Sequence, residues 1–344
     1  MKTAFFLFMT ILASHAQGAF KPWDGSSNPM IMSSGFQRKF ISLPLAGKVN
    51  EVKKYWSSFY WPLFQGNINL RWNTPTPNGF NLDSPDYDEV LKMNLAELAS
   101  LAPSEKYDLF IGRYSYPLRN QVNKKVSPHI SEWQGICHGW AAATLNHNEP
   151  TPKLMTNPDG IQIPFGSSDI KALLSYYYAY YDDPVSTHQM GLRCNGRRYC
   201  DDDLNAGAFH IVLSNKIGLE GNGFIADIEN GREVWNQVVF NYRSQVLEPN
   251  LPPAANSAYG TVKVVRMKTI IKVVFNIVQN SWQPVIGTNL QTYKDQEYEY
   301  DLDIDSTGNI IGGDWRSKLR PDFLWKVGPT KSFQGIFSRL GELL

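Results

Sequence analysis

After Gly207 the hydrophobic spacing of the chain changes, and that change limits the folds open to it more than any other feature. Before it, apolar residues recur at helical intervals; after it, they alternate. Leu91, Leu95 and Leu98 predict a helix from about Pro85 to Ser100, with Ser84 as its cap and Pro85 at its first position. Pro103 to Leu109 reads as a helical turn, and Gly112 to Ser131 as a polar, irregular connection. From Cys137 an alanine-rich run reaches Leu145 as a helix that ends before Pro150. Ile170, Leu173, Leu174, Tyr177 and Tyr178 predict another, capped within Ser167-Ser168-Asp169 and ended by Asp182-Asp183-Pro184. Beyond Gly207, Phe209, Ile211 and Leu213 alternate with His210 and Val212. Phe224 to Ile228 then runs back after a turn rich in Gly and Asn, which reads as a β-hairpin. Further strands are expected at 259–265, 269–277 and 298–304, with Asp305 to Asn309 turning into Ile310-Ile311. Helices first and antiparallel strands later define an α+β class.

The 344 residues suffice for one large domain or two ordinary ones, and 42% hydrophobic against 19% charged is globular. A net charge of +1 gives no footprint for nucleic acid. Ten tryptophans within 13% aromatics point first to a heavily packed core and second to an aromatic-lined cleft. The aromatic stretch from Tyr55 to Trp72 has no clean period and reads as an arm packed on the main body. Met1-Lys2, a short apolar run to Ala13 and small residues at Ser14, Ala16, Gly18 and Ala19 read as a signal peptide cleaved near Ala16 to Ala19. That run is shorter than the ~20 residues a membrane span needs, and no later stretch is apolar enough. The expected organisation is thus a signal peptide over 1–19, an aromatic-rich arm over 20–120 and a catalytic domain over 121–344. The mature chain is expected to be secreted or periplasmic.

Export bears on the cysteines, of which there are three. Cys194 and Cys200 close a short loop containing Gly196, which favours a disulfide over two separate thiols in an oxidising compartment. Cys137 is left over, behind Gly135 and at the head of a helix, where a thiol is most easily ionised. Its amide is one oxyanion donor, Gly135 leaves room for a substrate carbonyl, and Trp133 supplies an indole N–H or a cleft wall. His138 adjoins it but points away on a helix, and so reads as structural or cleft-lining, as does Trp140 beside it. His147 falls in the loop after the helix, and His129 and His188 in irregular stretches. His210 is the best-placed base. If the hairpin turns between Gly218 and Leu219, His210 and Asp227 face each other ~5 Å apart, and a Cys137-His210-Asp227 set follows. Asp301-Leu302-Asp303-Ile304-Asp305 hints at calcium, but Gly308 and Gly312 fall at positions eight and twelve where a calcium loop needs Gly at six and Glu at twelve. A strand with outward acids is the better reading, and the sequence requires no cofactor.

Trp133-Gln134-Gly135-Ile136-Cys137-His138-Gly139-Trp140-Ala141, Ala208-Phe209-His210 and Gly223-Phe224-Ile225-Ala226-Asp227 resemble the catalytic blocks of the transglutaminase elicitor family. Tyr60-Trp61-Pro62, Glu105-Lys106-Tyr107-Asp108, Gly312-Gly313-Asp314-Trp315 and Pro321-Asp322-Phe323-Leu324-Trp325 extend the resemblance along the mature chain. It implies a papain/transglutaminase-like arrangement, with the nucleophile at a helix N-terminus packed on a mostly antiparallel sheet. It also implies acyl transfer: Cys137 takes the acyl group of a protein-bound glutamine and passes it to a lysine amine or to water. His210 would be the base and Asp227 its orienting partner. Substrates would be proteins or peptides, and calcium is admitted by the resemblance. Val234-Trp235-Asn236-Gln237 resembles the start of the family's exposed elicitor segment, but Val238 stands where those members have proline. Two other readings remain: an exported cysteine peptidase or amidase acting on cell-wall or protein amides, and a non-catalytic surface or recognition protein.

Overall fold

The computed structural model describes residues 23, 25–51, 55–80, 83–181, 187–195 and 204–344. The leader, Asp182-Asp183-Pro184, Cys200 and the acidic turn at Asp201 to Asp203 lie outside these residues. Helices occupy α1 (Tyr87–Val90), α2 (Leu95–Ser100), α3 (Pro103–Phe110), α4 (Pro117–Asn123), α5 (Cys137–Asn146), α6 (Ser167–Tyr180) and α7 (Ala206–Leu213). Strands occupy β1 (Ala46–Lys48), β2 (Lys153–Thr156), β3 (Gln162–Phe165), β4 (Thr187–Met190), β5 (Phe224–Asp227) and β6 (Asn236–Leu251). They continue as β7 (Lys263–Val274), β8 (Tyr293–Ile304), β9 (Ile310–Trp315) and β10 (Phe323–Val327). β2 and β3 form a separate hairpin; the other strands make an antiparallel sheet in the order β4-β10-β5-β6-β7-β8-β9, with β1 added on β6. The fold is therefore α+β, with a long antiparallel sheet in the C-terminal half as expected.

The sheet separates two cores. Strand residues point alternately to its two faces, and β5 shows this directly: Ile225 joins one core, Phe224 and Ala226 the other. The first core gathers α3, α5 and α6 with Val238, Phe240 and Val274. The second gathers α7 with Val239, Tyr300 and Leu302. The aromatic N-terminal stretch belongs to the first core, where Trp56 and Trp61 are fully buried. It is strapped across the entrance of α5: the Ile136 amide donates to Tyr60 O at 2.9 Å, Leu63 N to Gln134 O at 2.9 Å, and Trp140 Nε1 to Trp56 O at 3.1 Å.

Several expected elements come out differently, for identifiable reasons. The single helix over 85–100 is two short ones, because Asp86 with Glu89 and Asn94 with Glu97 form successive capping boxes that restart it. Ser84 is not the cap; its hydroxyl donates to Glu105. α6 begins where expected, but its cap position is Gly166, whose amide is held by Asp169. The supposed loop over 112–131 contains α4. The two strands expected over 259–265 and 269–277 are one, β7, which runs unbroken through the half-buried Arg266 and Lys268.

The largest correction concerns residues 206–213, which are a helix rather than a hairpin strand. Asn205 caps α7 by accepting from Gly207 N and Ala208 N, and every residue of the helix is buried. A helix apolar on all sides has no distinguishing period. The chain then passes through a wide turn, Ser214–Leu219, before β5.

α5 and α6 cross at Gly139. A Cβ there would lie 2.0 Å from Ser175 O and 2.8 Å from Ala179 Cβ. Gly139→Ala should therefore destabilise the fold by ~1–3 kcal/mol through overpacking, read as a lower denaturation midpoint in urea with unchanged slope.

Candidate active site

Cys137 is the first residue of α5, and among the described residues it is the free cysteine. The expected Cys194–Cys200 bridge involves a residue outside the described ones. The Cys137 sulfur borders a small pocket of about 170 Å³ lined by Leu63, Trp133, Gly135, His138, Val234 and Asn236. Its S–H reaches Val234 O at 3.5 Å, and Asn236 Nδ2 lies 3.9 Å away. The amide of Asn236 is not free to flip, because Trp325 Nε1 donates to its Oδ1 at 2.7 Å. That bond turns the NH₂ group toward the sulfur.

Asp227 is the last residue of β5. It stands two residues beyond Ile225, on the Cys137 side of the sheet, and pairs in register with Asn236. Its Oδ1 accepts from Trp235 N at 2.9 Å, while Oδ2 has no hydrogen-bond partner in the structure. Burial, aided by the nearby charges of Asp322 and Glu229, pushes this carboxyl up to about 7. The thiol is also pushed up, first by its own burial and further by the Asp227 charge. Backbone N–H groups of Asn236 and His138 and the Asn236 side chain oppose that rise. These donors favour a thiolate once one forms.

The structure does not bring His210 to this site. On α7 it belongs with the second core, so the sheet stands between it and Cys137. Its Nδ1 bonds Tyr300 Oη at 2.7 Å, which continues to Thr269 Oγ1 at 2.6 Å and Ser244 Oγ at 2.7 Å. Burial pushes the imidazole down to about 4, so it is neutral near pH 7. The facing pair of His210 and Asp227 fails because it assumed a strand where the chain makes a helix. The partners of Asp227 across the sheet are Asn236 and Phe323.

Trp133, Gly135 and His138 do line the pocket, whereas Trp140 is a core residue bound to Trp56. The room expected above Gly135 is taken by Tyr60: a Cβ there would meet Tyr60 O at 2.5 Å. His138 packs edge-on to Tyr180 and is pushed down by burial. The Val234-Trp235-Asn236-Gln237 segment is no exposed peptide; it forms the wall of the sulfur pocket and the start of β6, with Gln237 buried. Sequence reasoning missed the roles of Asn236, Trp325 and Tyr60. All three sat in blocks that had been singled out, yet only register joins them.

The Asp301–Asp305 stretch belongs to β8 and its turn, but the acids are not outward. Asp301 and Asp303 are buried; Asp301 is paired with Arg266 and Arg316, and Asp303 accepts from Ala258 N at 2.9 Å. Asp305 closes its own turn through Thr307 and Asn309. A carboxylate already matched to two guanidiniums does not fit a calcium ligand set. Among the described residues no cluster of three or more His, Cys, Asp or Glu is placed to hold a metal, and no helix is long and apolar enough to cross a membrane.

An unpaired thiol at a helix N-terminus, packed on an antiparallel sheet, gives the papain/transglutaminase-like arrangement. Residues 117–334 match the model of the transglutaminase elicitor family, and the chain belongs to that family. The crystal structure of the GP42 transglutaminase from Phytophthora sojae shares the fold, with a TM-score of 0.69 at 20% identity over 93% of this chain and 97% of that one. No curated protein matches the sequence significantly.

Proposed function

We propose that the protein is an exported protein-glutamine transglutaminase whose nucleophile is Cys137 and whose proton carrier is Asp227. The observation that carries this reading is one unpaired sulfur with the Asn236 amide, held by Trp325, turned toward it, and a buried carboxylate with a raised pKa on the same sheet face whose charge acts on the thiol. A carboxyl poised near 7 is matched to proton transfer at neutral pH. Asp227 would take the thiol proton as sulfur attacks the glutamine carboxamide carbon. The N–H groups around the sulfur, together with the Cys137 amide at the open end of α5, would receive the developing oxyanion. Asp227 would then return its proton to the departing nitrogen, releasing ammonia and leaving a thioester. A lysine amine, giving up a proton to Asp227, would displace the sulfur and form an isopeptide bond; water would give glutamate instead. His210 is assigned to packing. The catalytic unit is taken as 121–344, with the arm over 20–120 supplying the Tyr60 strap.

The test is incubation of the mature protein with a glutamine-bearing protein and a fluorescent primary amine, following amine incorporation and ammonia release together. Incorporation with stoichiometric ammonia supports acyl transfer. Shortened polypeptide products without incorporated amine would replace it with peptidase chemistry.

A further inference from the structure

The structure has a second cleft, of about 690 Å³, and among the described residues none of its lining side chains is ionisable. Three rings (Phe59, Trp72 and Phe80) and several amides, including Gln65, Gln279 and Asn280, surround it. Such a mixture of flat apolar faces and neutral polar groups is the chemistry of a ligand site. The walls are preformed. Trp72 is fixed by its Nε1 bond to Asp169 at 2.9 Å, and the 73–80 loop is latched to the neighbouring turn so closely that a Cβ on Gly79 would lie 2.0 Å from Gln65 O. Asn280 Oδ1 is out of contact with solvent and has no hydrogen-bond partner in the structure. Val278, on the rim, is 89% exposed.

One short turn of chain, Leu63–Gln65, contributes to both the cleft and the sulfur pocket. Leu63 lines the sulfur pocket and Gln65, two residues later, lines the cleft. A three-residue turn of this kind is about 6 Å long. An extended peptide advances ~3.3 Å per residue, so a residue three or four places from one held in the sulfur pocket reaches about 10–13 Å. A charged side chain entering an uncharged cleft would lose its hydration with nothing to replace it.

We propose that this cleft is a subsite for the glutamine-donor polypeptide, accepting an uncharged aliphatic or aromatic residue three or four positions from the reactive glutamine. The proposal rests on the acyl-transfer reading of Cys137. It is tested by the kcat/KM for ammonia release from two kinds of donor. One is benzyloxycarbonyl-Gln-Gly, too short to reach the cleft. The others are peptides with a central glutamine and Leu, Asp or Arg at the third and fourth positions on either side. On one side, Leu donors should exceed Asp and Arg donors by about tenfold or more, the scale set by one apolar contact in a pocket. Val278→Asp should lower the Leu donors by about tenfold, raise the Arg donors, and leave the short donor unchanged. Turnover of the short donor with no preference among the long ones, in either protein, would overturn the subsite alone. Failure to turn over any donor would remove the acyl-transfer reading and the subsite with it.

Discussion

Cys137→Ala should lower amine incorporation by on the order of 10³-fold or more, the scale seen when a covalent nucleophile is removed, and leave the fold intact. The change deletes one sulfur from a residue that is already 5% exposed and bonded only weakly, to Val234 O and Asn236. Stability should shift by no more than about 1–2 kcal/mol in either direction, since a small buried side chain is traded for a smaller one. Retention of full activity by a well-folded Cys137→Ala would leave the chain without a nucleophile of this kind.

Asp227→Asn carries the second large effect. If the carboxylate moves the proton, turnover should fall by about 10²–10⁴-fold, with the architecture kept because the Trp235 N bond needs only an oxygen acceptor. In the wild-type protein, activity should rise as pH climbs through about 7, where this carboxyl ionises, and that rise should vanish in the variant. Stability gives an independent sign. A carboxyl whose pKa is raised by folding favours the folded state while protonated and loses that contribution as pH climbs through the folded value. The wild-type protein should therefore lose stability relative to Asp227→Asn as pH climbs from the ordinary Asp value of 3.8 to about 7, and lose little more above that. Asp108, also pushed up to about 7 by burial, is present in both proteins and cancels from the comparison.

How much of this was legible beforehand differs from residue to residue. Cys137 was legible because glycine and alanine around it announce a helix start, and because cysteine arithmetic is local. Asp227 was chosen to face His210, whereas in the structure β6 folds back and lays Asn236 opposite it. That β6 strand was not foreseen, and a register spanning the loop from 228 to 235 leaves no local trace. α7 was misread because burial on every side removes the period that separates helix from strand, although Asn205-Ala206-Gly207 carried a helix-start signal. The 85–100 helix was overextended because three leucines at helical spacing outweighed Asn94. Two of them, Leu91 and Leu95, are in fact exposed. The Trp325-to-Asn236 bond joins residues 89 apart in sequence, and only the completed sheet reveals it.

The most direct measurement is the rate of Cys137 alkylation by iodoacetamide across pH 5 to 10, followed in the wild-type protein, Asp227→Asn and His210→Gln. Removing a negative charge beside the thiol should move the alkylation midpoint of Asp227→Asn to lower pH, even as its turnover collapses. The His210→Gln profile should superimpose on that of the wild type. A midpoint that moves with His210 and stays fixed with Asp227 would contradict this account and restore an imidazole to the nucleophile.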